Sequence, residues 1–192
     1  NINLADITYD ALLAYDFGIW KGEQYIGTKI PTLEEFLSLC RKLNLCVYID
    51  LKAQFTFSEM EKVVGLVDKY RMSKAVTYIG SAASLAHVSR LNPDARLGMV
   101  TSNIAEYALR SFINLCKTPT NKLFIDHSLT TLTTDKIDLI ESHGVGIEVY
   151  SPNTETDILA LDERICGITS DMLVAKDIIL NANLGQENTG IL

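Results

Sequence analysis

From residue 46 onward the chain repeats one pattern, a short run of β-branched, aromatic and aliphatic residues followed by a longer stretch with helical spacing. The runs occupy residues 46–52 (CVYIDLK), 75–80 (AVTYIG), 96–101 (RLGMVT), 122–127 (KLFIDH), 145–151 (VGIEVYS) and 165–170 (ICGITS), and they recur every 20–29 residues. Several are almost continuously apolar, as strands buried on both faces of a parallel sheet must be. Strands alternating with helices define the α/β class, and two architectures satisfy it: an open doubly wound sheet or a (β/α)₈ barrel. Neither GxGxxG nor GxxxxGK[ST] occurs, so the nucleotide-binding versions of the open sheet lack their phosphate-cradling turn. Periodicity alone does not choose between barrel and sheet.

The intervening stretches carry helix signals. Thr32 and Glu35 form a capping box ahead of Leu33, Phe36, Leu37, Cys40 and Leu43. Ser58 and Glu61 predict a second box ahead of Val63, Val64, Val67 and Tyr70. Leu109, Phe112, Ile113 and Cys116 make a third apolar stripe, and Ile137 with Ile140 a fourth. Asp171 is placed to cap a last helix carrying Met172, Ala175, Ile178 and Ile179. Residues 1–31 differ: aspartates, glycines and aromatics interleave, which predicts a short helix and a packed irregular loop, with Trp20, Tyr15 and Tyr25 closing a barrel end. Residues 181–192 read as a polar tail. The whole is one domain.

Composition narrows the chemistry. With 47% hydrophobic residues in 192 the chain can bury a substantial core, and no apolar run approaches the roughly 18 residues of a membrane span. The formal net charge of −7 argues against a nucleic-acid phosphate track. Cys40, Cys46, Cys116 and Cys166 lie in apolar stretches without CxxC spacing, which predicts buried, reduced thiols and points to the cytoplasm. The chain opens on Asn1 rather than Met, as a processed end, an engineered boundary or a fragment does.

Three segments carry a resemblance. Residues 13–18 (LAYDFG), then 27–35 (GTKIPTLEE), then a run ending Ile49-Asp50-Leu51-Lys52, match in order the "LD.G", "G..IPTLEE" and "IE.K" segments of glycerophosphodiester phosphodiesterases. Farther on, residues 146–153 (GIEVYSPN) resemble that family's "V..WTVN" and 166–172 (CGITSDM) its "GI.TD.P". The resemblance implies a TIM-type (β/α) barrel, incomplete here: about six of eight βα units, with the two N-terminal strands missing. It implies hydrolysis of glycerophosphodiesters to glycerol 3-phosphate and an alcohol, assisted by Mg²⁺ or Ca²⁺. The family's acid/base histidines, in His-Arg-Gly and His-Asp strand ends, belong to those missing strands, so low metal affinity and little activity of the chain alone are expected. The string Glu187-Asn188-Thr189 repeats part of the family's metal motif, but no His-Arg-Gly precedes it.

Individual residues are weighed against that background. Asp50 and Lys52 alternate on one strand face, which in a barrel is the interior at the catalytic mouth. By the resemblance Asp50 is a metal ligand, with Asp where the family has Glu, and Lys52 a phosphate contact; the competing reading is a structural ion pair. Tyr150 and Asn153 align with the Trp and Asn of WTVN as pocket wall and polar substrate contact, or else as a core aromatic and a helix cap. Asp126 and His127 end a strand, so one of them faces the mouth. His87 and His143 read as helix-surface or helix-end residues. The implied partner is a small glycerophosphodiester. The alternative is a non-catalytic binding module whose open sheet edges recruit a second copy or a complementing N-terminal segment.

Overall fold

The computed structural model describes the backbone from Leu4 to Asn188 and the side chains of Leu4 and of 6–181. Thr189, the last residue of the Glu-Asn-Thr string, lies outside the described residues, as does the end of the stretch read as a polar tail. The chain divides into two compact units, residues 1–45 and 46–192.

The first unit is loop built around helix α1 (Tyr9–Leu12) and helix α2 (Leu33–Lys42). Asp16 organises the loop. One of its carboxylate oxygens accepts from the Gly18 and Ile19 amides (2.8 and 3.1 Å), the other from Gly27 (2.7 Å). Those backbone donors, Gly27 foremost, hold the Asp16 carboxyl below its ordinary pKa. Helix α2 starts on the predicted capping box: Thr32 Oγ1 accepts from the Glu35 amide (3.1 Å) and Glu35 accepts from the Thr32 amide (2.8 Å). It ends on Asn44, whose left-handed φ of 54° releases the chain. Trp20 is 79% exposed, its indole N–H donating to the Phe17 carbonyl.

The second unit alternates strand and helix throughout: β1 (Val47–Leu51), α3 (Phe57–Lys69), β2 (Val76–Gly80), α4 (Ala82–Leu91), β3 (Arg96–Thr101), α5 (Glu106–Cys116), β4 (Lys122–Ser128), α6 (Thr134–Ser142), β5 (Gly146–Tyr150), α7 (Glu155–Leu159), β6 (Ile165–Thr169) and α8 (Ala175–Asn188). All strand pairs are parallel, in the order β1-β2-β3-β4-β5-β6. Each strand therefore neighbours the next in sequence, which a doubly wound sheet does not do and a barrel does. The sheet curls far enough for Tyr48 of β1 to hydrogen-bond Glu148 of β5 across its concave side. It is an incomplete TIM-type barrel of six described strands.

The outward face of the sheet packs on the helices. Tyr78, Leu97, Ile125 and Val149 are fully buried there, against the turned-in residues of the helices: Met60, Val64 and Val67 of α3, Leu85 and Val88 of α4, Leu109 and Phe112 of α5, Ile137 and Ile140 of α6. Full burial of such a side chain contributes about 1.5–3 kcal/mol, so this layer supplies most of the driving force for folding. At the edge of the unit Arg164 ties the residues before β6 to α6, bonding Asp162 (2.8 Å), Asp138 (2.6 Å) and Glu141 (3.2 Å).

Four local expectations change. The capping box of α3 is Thr56 and Glu59, two residues before the predicted one; that register turns Met60, Val64 and Val67 inward. Helix α8 begins at Ala175, so Asp171 does not cap it, and it continues to Asn188, into the stretch read as tail. Cys40 and Cys116 are buried, but Cys46 and Cys166 are exposed, one just outside β1 and the other on β6, which pairs with β5 alone among the described residues. The N-cap of α7 is Thr154 rather than Asn153.

Candidate functional site

Strand pairing fixes which side chains enter the curl. In parallel strands, directly paired residues share a face. Tyr48 and Asp50 therefore lie with Thr77 and Ile79, with Arg96 and Gly98, with Phe124 and Asp126, and with Glu148 and Tyr150. The expected alternation of Asp50 into the interior holds. So does the expectation that one of Asp126 and His127 faces inward: it is Asp126.

At the C-terminal end of β1, Asp50 Oδ2 lies 2.6 Å from Lys52 Nζ; the lysine side chain is 80% exposed and the aspartate 34%. This cation stands at the rim, paired with Asp50 and open to solvent. Tyr150 sits across the mouth, its hydroxyl donating to the Thr101 carbonyl (3.3 Å), so its ring spans from β5 to β3 over the end of β4. Asn153 is committed to its neighbours: its Nδ2 donates to Asp171 Oδ2 (3.0 Å), and its Oδ1 accepts from the Asp171 amide (2.9 Å) and from Ser170 Oγ (3.2 Å). These bonds join the loops after β5 and β6. The turn that presents Asn153 passes through Ser151, a non-glycine residue at φ 70°, a conformation that a tight loop maintains at a cost.

Below this rim lies a charged cluster of which sequence reasoning had singled out Asp126 alone. Glu148, 3% exposed, receives the Arg96 guanidinium, and the Tyr48 hydroxyl lies 3.0 and 3.2 Å from its two carboxylate oxygens. Burial and the Glu148 charge push the Tyr48 phenol up to about 12, so it stays a donor. Arg96 also stacks on Phe124, 4.8 Å from the ring centroid. Two glycines make the space: a Cβ on Gly98 would stand 2.2 Å from the Phe124 ring, and one on Gly167 2.5 Å from Glu148 Oε1. Asp126, 4% exposed, has a carboxylate oxygen sealed from solvent with no hydrogen-bond partner among the described residues. Burial, then the charges of Glu148 and Asp50, raise its pKa to about 6. The readable signal for this cluster was a lone charge within an apolar run, as in FIDH and GIEVY.

The three histidines stand apart from the interior. His127 is fully buried on the outward face, Nδ1 bonded to the Ser128 carbonyl (2.8 Å), and burial lowers its pKa. His87 lies edge-on to Phe57, and His143 closes the end of α6 on the Leu139 carbonyl. Among the described residues no three His, Cys, Asp or Glu side chains are grouped to hold a metal ion, and no helix is long and apolar enough to cross a membrane.

In barrels of this type the functional loops gather at the C-terminal ends of the strands, the end at which Asp50 and Lys52 stand. Residues 3–174 match the Glycerophosphoryl diester phosphodiesterase family, and the chain belongs to it. It is 26% identical over 180 residues to a glycerophosphodiester phosphodiesterase of Bacillus subtilis strain 168, covering 85% of this chain and 61% of the relative's length. Among solved structures, an Oleispira antarctica phosphodiesterase in complex with the product sn-glycerol-3-phosphate superposes with a TM-score of 0.78 at 17% identity, over 94% of this chain and 72% of that one. A glycerophosphodiester phosphodiesterase of Parabacteroides distasonis superposes at 0.71 with 21% identity, over 93% and 73%. At these identities the superpositions speak for the fold.

Proposed function

We propose that the chain forms part of a glycerophosphodiester hydrolase, with Lys52 as the contact for the substrate phosphate. What supports this is the Asp50–Lys52 pair at the mouth of a barrel of this family. Lys52 is an exposed cation held at the rim by a carboxylate, and a phosphodiester needs such a donor. Asp50 orients the ammonium, and Tyr150 walls the opposite side. Asn153 shapes that wall through the loops it joins.

The metal implied by the resemblance is not completed by the described residues. Asp50 supplies one carboxylate, already engaged by Lys52. The net reaction adds water to phosphorus and breaks one P–O ester bond, so a base must take a proton from water and an acid must give one to the leaving alkoxide. Neither His87, His127 nor His143 faces the interior, and the chain alone has little turnover on this reading.

Release of sn-glycerol 3-phosphate from glycerophosphocholine, measured with and without added Mg²⁺ or Ca²⁺, tests it. A rate near background is expected for the isolated chain. Robust turnover would overturn the assignment of acid and base to groups outside these residues.

A second reading rests on the edges. Among the described residues β1 and β6 are each paired on one side only, and unpaired strand edges recruit partners. A non-catalytic module of this shape would associate with a second copy or with a complementing N-terminal segment. Sedimentation equilibrium decides: a stable monomer removes the second copy.

A further inference from the structure

We propose that Asp126 is the acceptor for a hydroxyl of the substrate's glycerol moiety, inside the half-barrel and across from the Asp50–Lys52 pair. The proposal rests on the phosphate reading of Lys52 given above and adds the orientation of the ligand.

Asp126 is a charge-bearing side chain almost wholly withdrawn from water, with one oxygen lacking any donor among the described residues. Leaving such an acceptor unpaired is costly, and native interiors keep one mainly where a ligand, ion or water supplies the partner. The bonds of the neighbouring donors go elsewhere. Arg96 and Tyr48 both go to Glu148, and Lys52 goes to Asp50. The open acceptor is thus a consequence of how this cluster is wired.

The chemistry of the occupant follows. An anion is repelled, since Asp126 and Glu148 are paired neighbours on β4 and β5 and Asp50 lies within electrostatic reach. Among the described residues a metal ion finds no grouped set of ligands. A neutral hydroxyl donates one hydrogen bond and adds no charge, and it fits. A glycerophosphoryl ligand has both parts: an anionic end for the rim lysine and hydroxyls for the floor. Asp126 and Lys52 together would therefore set its direction, phosphate outward and polyol inward.

Calorimetric titration with sn-glycerol 3-phosphate and with ethyl phosphate, which has the phosphate but no free hydroxyl, separates the two contacts. The wild-type chain is expected to bind glycerol 3-phosphate about tenfold more tightly, the discrimination of one hydrogen bond to a charged group. Asp126→Ala should bring the two ligands within about twofold by weakening glycerol 3-phosphate alone. Asp126→Asn, which keeps the volume, should move discrimination the same way and covers the case in which alanine disturbs folding. Lys52→Ala should weaken both ligands alike. Equal affinities in the wild type, or a parallel loss of both ligands in the Asp126 variants, would overturn the Asp126 assignment while leaving the phosphate site standing. No binding of either ligand, or no effect of Lys52→Ala, would remove the phosphate reading itself and this proposal with it.

Discussion

Along β4, Ile125 and His127 turn toward the helices while Phe124 and Asp126 turn into the curl of the sheet. The two faces of the same strands are stabilised differently. The outward face is closed by area: Leu97, Ile125 and Val149 are fully buried and need only shape and volume from their neighbours. The inward face is closed by a few specific pairings, Arg96 and Tyr48 with Glu148 and Arg96 on Phe124, in space that glycines leave open. The first arrangement tolerates small errors everywhere. The second leaves one Asp126 oxygen without a partner among the described residues, and the outward face leaves the Tyr78 hydroxyl and His127 Nε2 in the same state.

Three measurements sharpen or break this contrast. The largest effect belongs to the outward face: Ile125→Ala should cost about 2–5 kcal/mol in urea unfolding, through lost transfer energy and the cavity left behind. A cost below about 1 kcal/mol would mean that this layer is not the stabilising one. On the inward face Gly98→Ala should cost about 1–3 kcal/mol, because the new methyl meets the Phe124 ring. The same substitution on a Phe124→Leu background should cost less, and an equal cost in both backgrounds would show that the ring is not the obstacle.

The third effect is smaller and depends on pH. The folded-state pKa of Asp126 is raised to about 6, by burial first and by Glu148 and Asp50 next, from an ordinary value of 3.8. Between those values the folded chain holds a proton that the unfolded chain has released, so this group's contribution to stability falls as pH rises from about 4 to about 6. Asp126→Asn removes that loss. The variant should gain about 1–2 kcal/mol on the wild type at pH 7, with screening allowed for, and nothing below pH 4. Melting curves at pH 4 and pH 7 check the sign. A variant less stable than wild type at pH 7 would indicate that Asp126 already has a structural partner.

Much of the second unit was readable in the chain. Each strand boundary falls within about one residue of its apolar run, because a strand buried on both faces cannot extend into its polar flanks. The motif residues of the first unit were readable for a different reason. Asp16, Thr32 and Glu35 make bonds only to nearby backbone and one another, and such spacing is visible in sequence. Helix α3 shows the limit of that local logic. Thr56-x-x-Glu59 and Ser58-x-x-Glu61 both have capping-box spacing, and the helix starts on the first. Asn153 shows it again, since its partners Ser170 and Asp171 lie in another loop.

The order of residues was enough to dictate a parallel α/β sheet and its strands, since these depend on periodicity, and its motif segments carried the resemblance to the family. It also placed Asp50 on the inward face of its strand, whereas Lys52 lies just past the end of β1. The chain's own text did not reveal that Glu148 would take both Arg96 and Tyr48, from 52 and 100 residues away, and leave Asp126 bare. That allocation arises only when the sheet curls and brings β1 opposite β5, because electrostatic partners are chosen by distance in space and not by distance along the chain.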